Sequence, residues 1–204
     1  LDIEVVWLKP GPPDPNHTRL VEVGAELGAQ NVLCVSSDPD MAATQAKLAA
    51  LMTLGERLGI RINLEFGLFT EVKTLSQARA IVEGIGSPAG AVLVDSLHLQ
   101  RSGGGPSDVA AIPAALRSYI QLCDAAADFA GEKTFEAIIE EAIDYRMPMG
   151  RGGLPLWDIV NVLPDGFPIA IEERSRALRE AWPDLNARAK ACRASVKAFF
   201  DREV

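Results

Sequence analysis

Ala89-Gly-Ala-Val-Leu-Val-Asp-Ser-Leu-His-Leu-Gln-Arg-Ser-Gly-Gly-Gly105 decides the fold. It opens as an apolar run with β-branched residues, which reads as a strand buried on both faces, as in a parallel sheet. The run stops at Asp95, Ser96, His98 and Arg101, and three glycines follow. A carboxylate at the end of a buried strand is costly unless something pairs with it. Either Asp95 caps the following segment, or it meets a metal ion or a bound ligand.

Three other segments share the design. Arg61-Ile-Asn-Leu-Glu-Phe-Gly67 sets Asn63 and Glu65 opposite Ile62, Leu64 and Phe66. Tyr119-Ile-Gln-Leu-Cys-Asp124 sets Gln121 opposite Ile120 and Leu122, and Pro168-Ile-Ala-Ile-Glu172 sets Glu172 opposite Ile169 and Ile171. Side chains alternate along a strand, so each segment carries a polar group near its C-terminal end, on the face away from its apolar side. In a β/α barrel the apolar side meets the helices and the other lines the lumen. Sites in that fold lie at the C-terminal ends of the strands. Glu65, Asp95, Gln121 and Glu172 are therefore expected to converge on one point.

Outward from these strands the βα rhythm continues. Ile3–Leu8 reads as a strand ending near Trp7 and Lys9, before the breaker-rich Lys9-Pro-Gly-Pro-Pro-Asp-Pro15. By their placement, Trp7 could stack on a sugar and Lys9 could contact an anion, or they are a packed ring and a solvated cation. Asn31–Ser36 is the next strand, and Asp38 is placed to cap the helix carrying Leu48, Leu51, Met52 and Leu58. Gly59 suits that helix's C-terminus, and Thr74 the N-cap of the next. Residues 132–145 read as an acidic amphipathic helix, followed by the turn-rich Arg146-Met-Pro-Met-Gly-Arg-Gly-Gly153. Pro183 divides the helical tail, whose stripe of Leu185, Ala189, Cys192, Val196 and Phe199 packs on the barrel or, as the lesser alternative, forms a homo-oligomer seam.

Six strands alternating with helices mean a parallel sheet with helices outside. The placement of the acids favours a (β/α)8 TIM barrel over an open doubly wound sheet, so the first two βα units are expected to be missing before Leu1. Residues 1–204 read as a single domain, N-terminally incomplete.

At 204 residues and 48% apolar, the chain can bury one sizeable core. A net charge of −8 argues against a nucleic-acid surface. No run of apolar residues suits a membrane span, and Cys34, Cys123 and Cys192 are too scattered for a disulfide framework. Both points fit a cytoplasmic protein.

The sequence Glu65-Phe-Gly67, Asp95-Ser-Leu-His98, Gln121-Leu-Cys-Asp124, Arg146-Met-Pro-Met-Gly-Arg-Gly152 and Glu172 resembles the xylose isomerase-like TIM barrels, and within them the sugar phosphate isomerases/epimerases. The resemblance implies one divalent metal held by Glu65, Asp95, Gln121 and Glu172, with Glu65 and Glu172 as catalytic base and acid. It implies substrate contacts from His98 and Arg146; Trp7, Lys9 and Arg101 join them as candidates near the strand ends. Gln121 stands where the family has a ligand histidine, and Met149 where it has the proline of a Pro-Gly pair. An amide oxygen in place of an imidazole favours Mn²⁺ or Mg²⁺ over Zn²⁺. The implied activity is isomerisation or epimerisation of a small sugar or sugar phosphate through an enediolate. The alternatives are a dehydratase acting on a keto-polyol or a dehydroshikimate-like acid, and a non-catalytic sugar-binding barrel. The superfamily's AP endonucleases use many histidines, and this acidic chain has two.

Overall fold

The computed structural model describes residues 2–201. Six strands, β1 (Asp2–Leu8), β2 (Asn31–Ser36), β3 (Arg61–Glu65), β4 (Gly90–Asp95), β5 (Ile120–Leu122) and β6 (Ile169–Ile171), form one sheet in sequential order. Every pairing is parallel. Sequential parallel order requires each chain reversal to pass over the same face, and helices carry those crossovers. They are α1 (Pro15–Glu26), α2 (Met41–Leu58), α3 (Leu75–Ile85), the short α4 (Ser96–Arg101) and α5 (Pro106–Ala110), then α6 (Phe135–Asp144) and α7 (Leu156–Asn161). The tail forms α8 (Arg176–Ala181) and α9 (Leu185–Phe200), divided around Pro183. This is the arc of a partial TIM barrel.

Two apolar layers follow from the alternation read above. Ile62, Leu64, Val92, Val94, Ile120 and Leu122 face the helices and pack with Leu48, Met52, Ala78, Val82 and Ile159. On the lumen face, Leu33, Val35, Leu93 and Tyr119 form a smaller cluster with Trp7 and Ala170. The tail stripe anchors at its far end, where Phe199 stacks on Trp157 with ring centroids 4.6 Å apart.

The local signals act largely as expected. Gly59 closes α2 at φ 70°, a conformation that glycine adopts freely. Thr74 caps α3, accepting from Gln77 N at 3.2 Å. Asp38 is the exception. The cap of α2 is Asp40, which accepts from Ala42 N and Ala43 N. Asp38 instead pairs with the buried Lys47 at 2.7 Å. Cys34, Cys123 and Cys192 are free thiols, the first two buried. No helix among the described residues is long and apolar enough to cross a membrane.

Candidate metal and substrate site

The C-terminal strand ends bring the four polar residues together. Glu65 is the last residue of β3 and Asp95 the last of β4, both buried, and Gln121 is at the middle of β5 at 1% exposure. Glu172 follows β6, and its backbone N–H donates to Leu122 O, which continues the ladder by one residue.

Asp95 does two things at once. Its Oδ1 accepts from Leu97 N at 2.8 Å and His98 N at 3.0 Å, capping α4. Its Oδ2 accepts from Arg146 Nη1 at 2.5 Å. The cap carries His98 one turn beyond the strand, where its ring is buried and lies 5.0 Å from that of Phe69. One ligand-capable atom from each of Glu65, Asp95 and His98 lies within 4.8 Å of the others, a group that could hold a metal ion. His98 thus joins the acids more intimately than a substrate contact held apart from the metal would.

Arg146 is 2% exposed and sits among these groups. Besides Asp95 it reaches Glu172 Oε2 at 3.4 Å, His98 Nε2 at 3.4 Å and Cys123 Sγ at 3.1 Å, while its Nε donates to Ala142 O. Burial pushes the Glu65 carboxyl well up, and the negative charges of Asp95 and Glu172 push it further. Burial also raises Glu172, to about 7, with Arg146 opposing. Asp95 is as buried, and burial is the largest single influence on it, yet the Arg146 and His98 charges and the hydrogen bonds from Arg146 and His98 N together hold it below the usual carboxylate range. Burial lowers His98 to about 4, so its imidazole is neutral at physiological pH.

Among the described residues, the buried oxygens without a hydrogen-bond partner include two of these groups, Glu65 Oε1 and Gln121 Oε1. Unpartnered acceptors of this kind are rare and call for an electron-poor partner. Carboxylate, amide oxygen and imidazole are all ligands that divalent ions accept, so the residues fit a metal. Glu65, His98 and Glu172 border a cavity of about 150 Å³. Trp7, Phe69, Ile139 and Ile143 line its apolar side, and Arg146, Glu172 and Arg174 its polar side.

Other expected contacts fall elsewhere. Arg101 does not line the cavity. Its guanidinium is taken up by Glu141, at 2.7 and 2.9 Å, and by Ala126 O and Ala127 O, so it pins the β5–α6 connection; the expected ligand contact is corrected on this ground. Lys9 lines a neighbouring cavity with His17 and Lys47. Trp7 does line the main cavity, with its Nε1 donating to Ser37 Oγ at 2.8 Å.

Two site residues were not picked out from the sequence. Glu4 lines the cavity and accepts from Gln121 Nε2 at 2.8 Å. Glu4 and Trp7 are three apart and would face opposite ways in a regular strand. The register of β1 against β2 shifts between Ile3 and Val6, and that irregularity lets both reach the lumen. Asp124 was visible at the end of Gln121-Leu-Cys-Asp124, but its partners are 28 and 30 residues away: Gly152 N at 2.8 Å and Leu154 N at 3.1 Å. Through them it holds the loop that begins at Arg146.

Comparison with known proteins agrees with this geometry. The sequence matches the xylose isomerase-like TIM barrel family over residues 16–195. The chain belongs to that family. A sequence comparison with curated proteins finds no match. Among solved structures, the fold is shared with a xylose isomerase-like TIM barrel/4-hydroxyphenylpyruvate dioxygenase fusion protein (TM-score 0.73, 22% identity, covering 85% of this chain and 30% of that one). It is shared with an IOLI protein whose structure holds a zinc atom (TM-score 0.74, 16% identity, 96% of this chain and 77% of that one). A third is D-psicose 3-epimerase with D-tagatose from Clostridium cellulolyticum H10 (TM-score 0.65, 12% identity, 92% of this chain and 72% of that one). The chain therefore spans less than a third of the fusion protein and about three quarters of the other two.

Proposed function

We propose that this chain carries the metal and proton-transfer residues of an isomerase or epimerase acting on a small sugar or sugar phosphate. The observation that carries it is the convergence of Glu65, Asp95 and His98 within 4.8 Å, with Glu172 brought to the same cavity beside Arg146. Family membership and the sugar epimerase among structures of the same fold support the reading.

Glu65, Asp95 and Glu172 would hold the ion, with Gln121 supplying an amide oxygen and His98 placed to supply an imidazole. The oxygens favour Mn²⁺ or Mg²⁺, and His98 would bring Zn²⁺ into range. A bound divalent ion supplies polarisation of a carbonyl and its neighbouring hydroxyl. The proton work falls to the acids. Burial raises Glu172 to about 7 in the absence of an ion, and from its place at the cavity it would take a proton from the carbon beside the carbonyl and give it back. Glu65 comes from β3, two strands away from β5 and three from β6, and approaches the cavity from the other side. Without an ion it holds its proton more tightly than an ordinary glutamate; on the ion it would be ionised and placed to exchange a proton on the opposite face, as epimerisation requires. Arg146 keeps Asp95 ionised and orients Glu172. His98, neutral, can accept from a substrate hydroxyl, and Trp7 and Phe69 offer rings to the sugar's C–H face.

The test is deuterium incorporation next to the carbonyl, measured by mass spectrometry for a panel of ketoses and their phosphates in D2O with Mn²⁺, Mg²⁺ or Zn²⁺. The expected result is exchange into at least one substrate, reduced about 100-fold or more in Glu172→Gln. Exchange that Glu172→Gln leaves unchanged, or none with any metal, would overturn the assignment.

A further inference from the structure

We infer that Glu4 is a positioning residue of the site: it fixes the side chain of Gln121 so that the amide presents only its oxygen to the metal and substrate end of the lumen. The two ends of a carboxamide are chemically opposite, one a donor pair and the other an acceptor. In the structure the donor end is held, with Nε2 donating to Glu4 Oε1 at 2.8 Å. The acceptor end is bare and buried, since Gln121 Oε1 has no partner. Turning the amide over would set its oxygen against a carboxylate oxygen, two acceptors face to face. Glu4 therefore selects one orientation, and a bare oxygen in a buried lumen is what a cation or a substrate hydroxyl would complete. Glu65 Oε1 is a second bare acceptor; Glu65 and Glu4 line one cavity, and the charge of Glu4 is felt at Glu65.

The contact is long-range. Glu4 lies on β1 and Gln121 on β5, 117 residues apart, with three strands between them in the sheet. The bond crosses the lumen and ties the first strand to the site. Glu4 becomes available for it through the register shift between Ile3 and Val6. Its role as an orienter of a metal ligand rests on the metal-holding reading above, and groups that orient ligands typically change metal affinity by 10- to 100-fold, on the order seen for outer-shell partners.

The experiment has two arms. Mn²⁺ titration by calorimetry compares wild type, Glu4→Ala, Gln121→Ala and the double variant. About tenfold weaker binding is expected in each single variant, with the double variant no weaker than Gln121→Ala alone. Unchanged affinity in Glu4→Ala, or losses that multiply in the double variant, would overturn the inference. In the second arm, the side-chain NH2 resonances of Gln121 are followed in ¹⁵N-glutamine-labelled protein without metal. Glu4→Ala should shift them and speed their exchange with solvent, while other glutamine side chains stay in place; no change overturns the inference. If wild type takes up no Mn²⁺ yet the Gln121 resonances respond to Glu4→Ala, the orienting contact stands and the metal reading alone fails. Glu4 is exposed on its strand, so its truncation leaves the core intact.

Discussion

Arg146 divides its guanidinium between Asp95 at 2.5 Å and Glu172 at 3.4 Å, and this one side chain sets two neighbouring acids apart. Asp95 remains ionised and Glu172 does not ionise until about 7, a contrast that suits one acid for holding and the other for proton exchange. The shift of Glu172 has a stability consequence with a definite sign. Its folded value lies above its unfolded one, so between about 4.5 and 7 the folded state keeps a proton that the unfolded state has lost. The resulting stabilisation is full below 4.5 and is lost as pH rises through 7. Compared with Glu172→Gln, metal-free wild type should therefore lose roughly 2–3 kcal/mol of stability between pH 4.5 and pH 8. Urea denaturation of both proteins at the two ends of that window, in chelator, measures it. Parallel stabilities would show that Glu172 titrates normally. Glu65, Asp95, Gln121 and Glu172 were legible because each is the polar residue at the end of an apolar strand. Glu4 was not, because period-2 alternation fails across a register shift. Arg101 looked free because its partner Glu141 lies 40 residues away in sequence, on a helix whose docking no local pattern reveals.

At the scale of elements, the loop after α6 is what delivers Arg146. Asp124, just past β5, exchanges backbone hydrogen bonds with Met147, at 2.7 and 3.2 Å, and its carboxylate accepts from Gly152 N and Leu154 N. Gly153 N adds a bond to Ala125 O at 2.7 Å. A side chain at Gly152 would collide with Ala125 O and the Asp124 carboxylate, so glycine is required there by close approach. Met149, which departs from the proline of the related pattern, is buried in the core and anchors the loop by burial instead. Removing the acceptor in Asp124→Ala should cost about 1–3 kcal/mol, and Gly152→Ala a similar amount through overpacking. Both are read as shifts in the urea midpoint at constant slope. A change within about 0.5 kcal/mol for either would mean that the loop holds its shape by other contacts. The tight loop was visible in its glycines; its tether was not, since hydrogen bonds across 28 residues leave no mark on local periodicity.

For the whole molecule, the order β1 to β6 places three acids and one amide on four adjacent strand ends, with Glu4 reaching across from the first strand. The βα rhythm made this architecture readable, because only a parallel sheet with helices on one face puts all four polar ends on one side of a common lumen. The helix-facing residues build the larger core, and the lumen keeps a small apolar cluster beneath the acids. Such a gathering of carboxylates in a buried place is unfavourable by itself, and Arg146 offsets only part of it. Two bare oxygens remain, on Glu65 and Gln121. The most direct test of that account is a calorimetric Mn²⁺ titration of wild type beside Glu65→Gln and Asp95→Asn. Wild type is expected to bind one equivalent, with affinity lower by on the order of 100-fold in each variant. Saturable binding that both variants retain at full strength, or no binding of Mn²⁺ or Zn²⁺ by wild type, would contradict it.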